Sequence, residues 1–364
     1  MRSALLLILF NRPEHTRQTF AAVRAARPPR LYVAADGPRP GNEADSALCR
    51  EARSIVDAVD WPCRVETLFR VRNLGCRVAC SEAIRWFFKH EDEGVILEDD
   101  ILAHPDFFSF CDAMLERFRH EPRVMSVNGS NFQMGLKRGS ASYYYSIFAH
   151  VWGWATWARA WRHFDLRMSG YRSFMRGSFP AQAQSERYTD FFLRRFAEVE
   201  SGRLSSWAYP WSYAVFRHNG LNVNPNVNLT ANAGFGSGTH CPGDSLWAYA
   251  RPEAMGPVIH PEAIAPCREA DLLTFHTAYD SRDFSFIKEG YRRLESGEAC
   301  ANHELIRLLR ALAGEHIELT RLEILTLEAE GRLPEALSLL VAAKQRSPES
   351  AETLQAIGKR LGAD

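Results

Sequence analysis

Three adjacent carboxylates, Glu98-Asp99-Asp100, follow an aliphatic run in the stretch GVILEDDILAHPDFF, Gly94–Phe108. Like charges repel, and desolvating a carboxylate without a partner is costly. A solvated loop end tolerates such a cluster, whereas a site that receives a cation requires one. Magnesium and manganese favour carboxylate, water and phosphate oxygens in octahedral geometry. A strand end followed by a short acidic run supplies rigid oxygen ligands with open positions. In that reading Asp100 binds the metal, and the metal offsets the repulsion within the triplet. Alternation along the strand sends Glu98 and Asp99 to different sides.

The elements that must hold the triplet alternate in type. Ala4–Phe10 is a continuous apolar run, as parallel strands buried on both faces require. Leu31–Ala35, Val65–Phe69, Val95–Leu97 and Val124–Val127 read as further strands. Helices are expected between them, from Pro13 to Ala26, from Ala44 to Val59, after Gly75 through Phe88, and onward from Pro105. This β-α-β-α rhythm predicts an α/β fold with a mostly parallel, Rossmann-like sheet flanked by helices. Ligands of such sheets bind beyond the carboxyl ends of the strands. Asn11-Arg12, Asp36-Gly37, Arg72-Asn73 and the acidic triplet each follow an expected strand, so four polar strand ends should converge on one edge.

The chain of 364 residues accommodates one large α/β domain and an appendage. With 46% hydrophobic and 24% charged residues it can bury a substantial core. Formal net charge is zero, which argues against a nucleic-acid partner. Aromatic residues cluster at Tyr143–Trp161 and Trp207–Phe216, a pattern that serves either a core or a stacking surface. Of eight cysteines only Cys76 and Cys80 are close, at a helical i,i+4 spacing. Without a C-x-x-C pair a structural zinc site is not expected. Scattered cysteines fit a reducing cytosol. The run Ala4–Phe10 is short for a signal peptide, and Asn11-Arg12-Pro13-Glu14 follows it with no cleavage pattern. No run approaches the roughly 20 apolar residues that span a bilayer. A cytoplasmic protein is expected, soluble or peripheral to a membrane.

The Gly-rich stretch GFGSGTH, Gly234–His240, lacks the strand-then-helix context of a phosphate-binding fingerprint. After Asp283 the composition turns rich in Leu, Ala, Glu and Arg with helical periodicity, which divides the chain into 1–283 and an all-helical 284–364. Gly331–Leu337, followed by Ala343 and Pro348, resembles one tetratricopeptide repeat. About three repeats make an independent solenoid, so one repeat is expected to pack on the main domain, on itself, or on a second subunit or protein partner. An ordinary helical hairpin explains the same pattern.

Taken in order, Phe10-Asn11-Arg12, Ala35-Asp36-Gly37, Leu97-Glu98-Asp99-Asp100 and Val151–Trp157 (VWGWATW) resemble the GT-A glycosyltransferases. The resemblance is to bacterial family 2-like enzymes related to N-acetylglucosaminyltransferase I. Ser206-Trp207, Asn222–Asn232 and Gly234–His240 are similar to the same group, so the likeness runs from Ala4 to Cys241. It implies transfer of a sugar from a nucleotide-diphosphate sugar, commonly UDP-linked, to a glycan, lipid-linked or protein acceptor, with manganese or magnesium and with inversion. It implies roles as well. Asp100 would hold the metal, with His240 completing the site or contacting phosphate. Glu98 and Asp99 would face the ribose or donor sugar. Asn11 and Arg12 would lie by the nucleotide, where the Arg12 fork matches two phosphate oxygens. Asp36 would accept a hydrogen bond from the base, and Arg72 and Asn73 would border the nucleotide. Gly153 and Trp154 would wall the donor sugar and acceptor.

The chain departs from this pattern at one place. Related enzymes carry Trp-Asp-x-x-Trp where this sequence has Trp207-Ala208-Tyr209-Pro210-Trp211, and others carry Asp before Ser-Trp where it has Ser205. An inverting transferase needs a carboxylate to deprotonate the acceptor hydroxyl. Asp190 and Asp99 are the candidates, and the sequence fixes neither. Two other readings stand beside the first. A sugar nucleotidyltransferase would need a Gly-rich, basic loop after the first strand, where this chain has Asn11-Arg12-Pro13. A catalytically degenerate GT-A binding or scaffold protein would act through the helical tail.

Overall fold

The computed structural model describes residues 1–133, 137–183, 186–235, 250–279, 290–291, 293–313, 317–346 and 351–362. The chain divides into two compact units. One is Met1–Asn131 with Lys137–Leu272, and the other is Phe132–Leu136 with Leu273–Asp364. The main break therefore falls before the compositional shift at Asp283.

The first unit carries ten strands among its described residues: β1 (Ala4–Leu9), β2 (Arg30–Ala35), β3 (Arg64–Phe69), β4 (Glu93–Glu98), β5 (Ile101–Ala103), β6 (Val124–Asn128), β7 (Tyr143–Ser146), β8 (Trp154–Trp157), β9 (Leu221–Pro225) and β10 (Thr230–Asn232). Helices α1 (Pro13–Ala26), α2 (Glu43–Arg53), α3 (Cys76–Phe87) and α4 (Pro105–Phe118) connect the early strands. Later come α5 (Ala158–Trp161), α6 (Tyr171–Gly177), α7 (Glu186–Glu200) and α8 (Ala208–Arg217). Eight strands form one sheet in the order β3-β2-β1-β4-β8-β6-β9-β7, while β5 and β10 pair separately and antiparallel. β8 runs against both β4 and β6, and β7 runs against β9; the other six strands are parallel. This mostly parallel, helix-flanked sheet is the GT-A-like arrangement expected, and the reversed β8 inside it is an addition the sequence did not announce.

Local sequence explains the layers. All six residues of β1 are buried, and Val95, Ile96 and Leu97 of β4 are fully covered, as interior parallel strands demand. β3 lies at the edge and stays half-exposed, carrying Arg64 and Glu66. Pro13 and Pro105 open α1 and α4, where a missing N–H costs nothing. Gly94 lets α3 close on β4, because a Cβ there would collide with the Phe87 ring.

The connectivity makes one place special. The chain runs outward from β1 to β2 to β3, then returns to β4 on the other side of β1. The order reverses between β1 and β4, and a crevice opens outside the carboxyl ends of strands at such a switch point.

In the second unit, helices span Asn302–Ala313, Ile317–Ala329, Leu333–Arg346 and Ala351–Arg360. Ile324, Leu327, Ala336, Leu340, Ala343, Leu354, Ile357 and Leu361 share one apolar core. Gly331, at φ +77°, turns the chain between the second and third of these helices. No helix among the described residues is long and apolar enough to cross a membrane.

Candidate active site at the strand switch point

Arg12 leaves the end of β1 and reaches the acidic triplet at the end of β4. Its Nη2 pairs with Asp99, and its Nη1 donates to Oδ2 of Asp100 at 3.0 Å. Asp99 is nearly inaccessible and also accepts from the Phe10 amide at 3.2 Å. Burial pushes the Asp99 carboxyl up to about 6, against the opposing pull of Arg12. Burial lowers and the two carboxylates raise the proton affinity of Arg12, and the carboxylates prevail. Glu98, the last residue of β4, is pushed well above the ordinary carboxylate range by burial, then by Cys76, Asp100 and Asp99. The triplet is thus a crowded cluster of carboxyl groups met by one guanidinium.

The next two strand ends are tied to each other. Asp36 is buried, and its Oδ1 accepts from the amides of Gly37 and Leu74, both at 2.9 Å. Its Oδ2 accepts from Leu74 at 3.0 Å and from Gly75 at 2.9 Å. Gly75 precedes α3, so the carboxylate also meets the positive end of that helix. Asn73 donates to the Gly37 carbonyl at 2.8 Å, and the Gly37 and Arg72 backbones touch where a Cβ could not fit. Arg53 bridges the carbonyls of Asp36 and Arg70. The residue expected to bind a base is therefore committed to its own loop, with every usual acceptor position taken. Asn11 is committed as well, donating to Asp45 at 2.7 Å. Asp45, held near 2 chiefly by Arg39, anchors this corner. Arg72 is different: it is exposed, and its side chain makes no hydrogen bond or ion pair among the described residues.

A second layer lies over the triplet. β5 starts just after Asp100 and pairs with β10, Ile101 opposite Asn232. The Ala233 amide donates to the Asp100 carbonyl at 2.7 Å, and His15 Nε2 lies 3.2 Å from the Ala233 carbonyl. Gly234 follows, and a Cβ there would stand 2.5 Å from Asp100 Oδ2 and 2.9 Å from Asn232 Oδ1. Only glycine leaves this pocket of oxygens open.

β8 brings its N-terminal end to the same edge, since Trp154 pairs with Ile96. Gly153 has φ +72°, and its Cα faces Thr230, Ile101 and Leu97. Trp154 turns away from the position expected of it. It is 1% exposed and packs with Trp161, Trp207 and Trp211, stacking on Trp207 at 5.7 Å. An interior strand of the sheet has no solvent face for such a ring. Trp152 is the half-buried aromatic of this edge, edge-on to Phe235 at 5.5 Å.

The donors suit a hard divalent cation. Oδ1 of Asp100 takes no hydrogen bond among the described residues, whereas the Asp99 oxygens accept from Arg12 and the Phe10 amide, Asn232 Oδ1 accepts from the Gly234 amide at 2.6 Å, and Arg12 Nη1 stands 3.1 Å from the Gly234 Cβ position. The Arg12 guanidinium already occupies one cationic position against this carboxylate. His240, expected beside the metal, lies outside the described residues. Asp190 is exposed on α7 and makes no hydrogen bond or ion pair with Arg12, Asp99 or Asp100. Ala208 opens α8, its amide held by Ser206 Oγ at 3.2 Å.

Several contributors escaped the sequence reading. Thr19 is fully buried and donates to the Asp99 carbonyl at 2.8 Å. His15 and Thr19 follow Arg12 at helical spacing into α1, the pattern that could have singled them out. Cys76 and Cys80 also come within reach of Glu98.

No protein-family model matches the chain, and no curated protein matches it. Solved structures that align with it include S. aureus TarS 1–349, at 9% identity and TM-score 0.30, over 43% of this chain and 47% of that one. The mannosyltransferase PcManGT from Pyrobaculum calidifontis, in complex with GDP-Man and Mn2+, aligns at 9% identity and TM-score 0.31, over 60% and 70%. Mouse xyloside xylosyltransferase 1, apo form, aligns at 10% identity and TM-score 0.28, over 59% and 81%. The chain spans about half the length of the first of these. Likeness at this level carries no functional argument, and the fold assignment rests on strand order and direction.

Proposed function

We propose that the chain is a divalent-metal-dependent glycosyltransferase. It would take the sugar of a nucleoside-diphosphate sugar, UDP-linked by preference, and pass it with inversion to a glycan, lipid-linked or protein acceptor in the cytoplasm. The observation that carries this reading is the all-oxygen triplet at the β1/β4 switch point, met there by Arg12 and left open by Gly234.

The chain's own groups divide the work. Arg12 holds Asp99 and Asp100 apart and in register, and its fork suits phosphate oxygens when they arrive. Arg72, exposed at the neighbouring strand end, adds a second cation for the diphosphate. The Asp36 latch fixes the loop on which Arg72 and Asn73 stand, and Trp152 with Phe235 offers an apolar face to the sugar. A divalent cation held by Asp100, with Asp99 and Asn232 beside it, would supply Lewis-acid stabilisation of the diphosphate leaving group. Asp99 is the sequence candidate for the base that deprotonates the acceptor hydroxyl, although its two oxygens are held by Arg12 and the Phe10 amide.

The test is a donor screen. UDP-, GDP- and dTDP-sugars are incubated with the chain, with manganese and then with a chelator, and released nucleotide is measured. Turnover of one donor class only with metal supports the reading. Ala208, where the enzymes the sequence resembles carry an acid, favours a second one: a degenerate binding protein. Calorimetric binding of a donor with no hydrolysis or transfer would select that alternative.

A further inference from the structure

We propose that Cys76 Sγ, Cys80 Sγ and the Glu98 carboxylate form a three-ligand site for a thiophilic divalent cation of the zinc class, separate from any cation held by Asp100. The two sulfurs lie 3.9 Å apart, and all three ligand atoms fall within 4.8 Å of one another. Two thiolates bound tetrahedrally to one zinc, each at about 2.3 Å, stand about 3.8 Å apart, so the helix already sets the sulfur pair at a coordinating distance. The i,i+4 spacing puts both thiols on one face of α3, and that face packs against the sheet at the end of β4. Cys80 is buried, whereas Cys76 and Glu98 reach the surface.

Ligand softness separates this site from its neighbour. Oxygen donors around Asp100 suit manganese or magnesium, while a thiolate pair selects zinc-class ions. The bland account of the two cysteines is a weak thiol–thiol contact within an apolar cluster, and Cys80 does belong to that cluster. It leaves unexplained why a glutamate is brought to the same point from another element. The inference stands on these three side chains and does not need the glycosyltransferase reading. The missing C-x-x-C pair argued against zinc only because one ligand comes from a strand eighteen residues on.

Cobalt(II) is the probe. The reduced full-length chain, freed of metal, is titrated with cobalt and followed by absorption. A near-ultraviolet thiolate charge-transfer band and tetrahedral visible bands are expected, saturating at one thiolate-bound cobalt per chain apart from any cobalt taken up at Asp100. Both should persist in Asp100→Asn, vanish when Cys76→Ala and Cys80→Ala are combined, and weaken at least about tenfold in affinity in Glu98→Gln. Absence of the charge-transfer band in the unaltered chain overturns the proposal, and so does its survival in the double variant. An unchanged affinity in Glu98→Gln removes the carboxylate and with it the three-ligand site. Zinc-edge absorption spectroscopy on the unaltered chain gives a readout independent of variant folding. It should show two sulfurs and lighter atoms around zinc, and a shell of no sulfur or four sulfurs overturns the site.

Discussion

Nη1 of Arg12 and Oδ2 of Asp100 stand 3.0 Å apart across eighty-eight positions of sequence. The guanidinium is a partner to the carboxylate and also a rival to any cation that comes to it. The two substitutions should therefore part company. Asp100→Asn is expected to lower donor turnover by about a hundredfold or more, close to 3 kcal/mol of barrier, with the melting temperature little changed. Arg12→Ala leaves the nearly inaccessible Asp99 unpaired and is expected to destabilise by about 3 kcal/mol. Steady-state assays with manganese and thermal melts on the same preparations decide. Wild-type turnover in Asp100→Asn would remove that residue from the mechanism.

Asp36 gives a stability prediction. In Asp36→Asn one acceptor oxygen becomes a donor facing backbone N–H groups, which leaves buried amides without partners. A loss of roughly 2–4 kcal/mol is expected in urea denaturation. An unchanged midpoint would show that the latch is not the carboxylate's contribution.

Gly234→Ala tests the cradle. The added methyl would crowd Asp100 Oδ2 and Asn232 Oδ1 at the distances given above. Manganese affinity, read by calorimetry or by electron paramagnetic resonance of the free ion, should weaken about tenfold or more, with little loss of stability. Equal affinity in the two proteins would place the cation elsewhere.

The two tryptophans before and within β8 should behave oppositely. Trp154→Ala opens a cavity in a ring of four indoles and is expected to cost about 3–5 kcal/mol. Trp152→Ala should be milder in stability but should raise the donor or acceptor KM. Denaturation and kinetics of the pair separate a core residue from a wall residue.

Asp271 predicts a pH dependence away from the site. Its carboxyl is buried, accepts from Ser146 Oγ and, at 3.4 Å, from the Ile147 amide, and is pushed up to about 7 by burial. A folded value above the unfolded one means the native state holds the proton more tightly. The contribution is complete below pH 4 and is lost as pH rises through 7, on the order of 4 kcal/mol in all. Buried His150, lowered to about 3, acts in the opposite sense, losing stability as pH falls from 6.5 towards 3. The difference between the chain and Asp271→Asn isolates the first effect: stability curves from pH 4 to 8 should converge toward the acid end in shape and diverge above it. Parallel curves would reject the assignment.

Long apolar runs made β1, β2 and β4 readable, and with them the convergence of strand ends. β5 and β10 were not, because three-residue strands exist only through their pairing with each other. Asp36 was singled out for its type and its place after a strand, but three backbone amides from its own and the adjacent loop compete for it, and that is set by tertiary closure. Trp152 and Trp154 are indistinguishable in sequence, since a strand buried on both faces shows no alternation to choose between them. Cys76 and Cys80 were visible as a helical pair; Glu98 as their neighbour was not, since no local pattern links α3 to β4.

The rigid union of the second and third strand ends has a thermodynamic consequence. A backbone that is already ordered has little disorder left to surrender when something docks, and the ordering penalty there falls mainly on the exposed Arg72 side chain, about 0.5–1.5 kcal/mol. Cooling or molecular crowding should then change docking at that rim little, whereas variants that slacken Gly37 against Arg72 should make it strongly temperature-dependent.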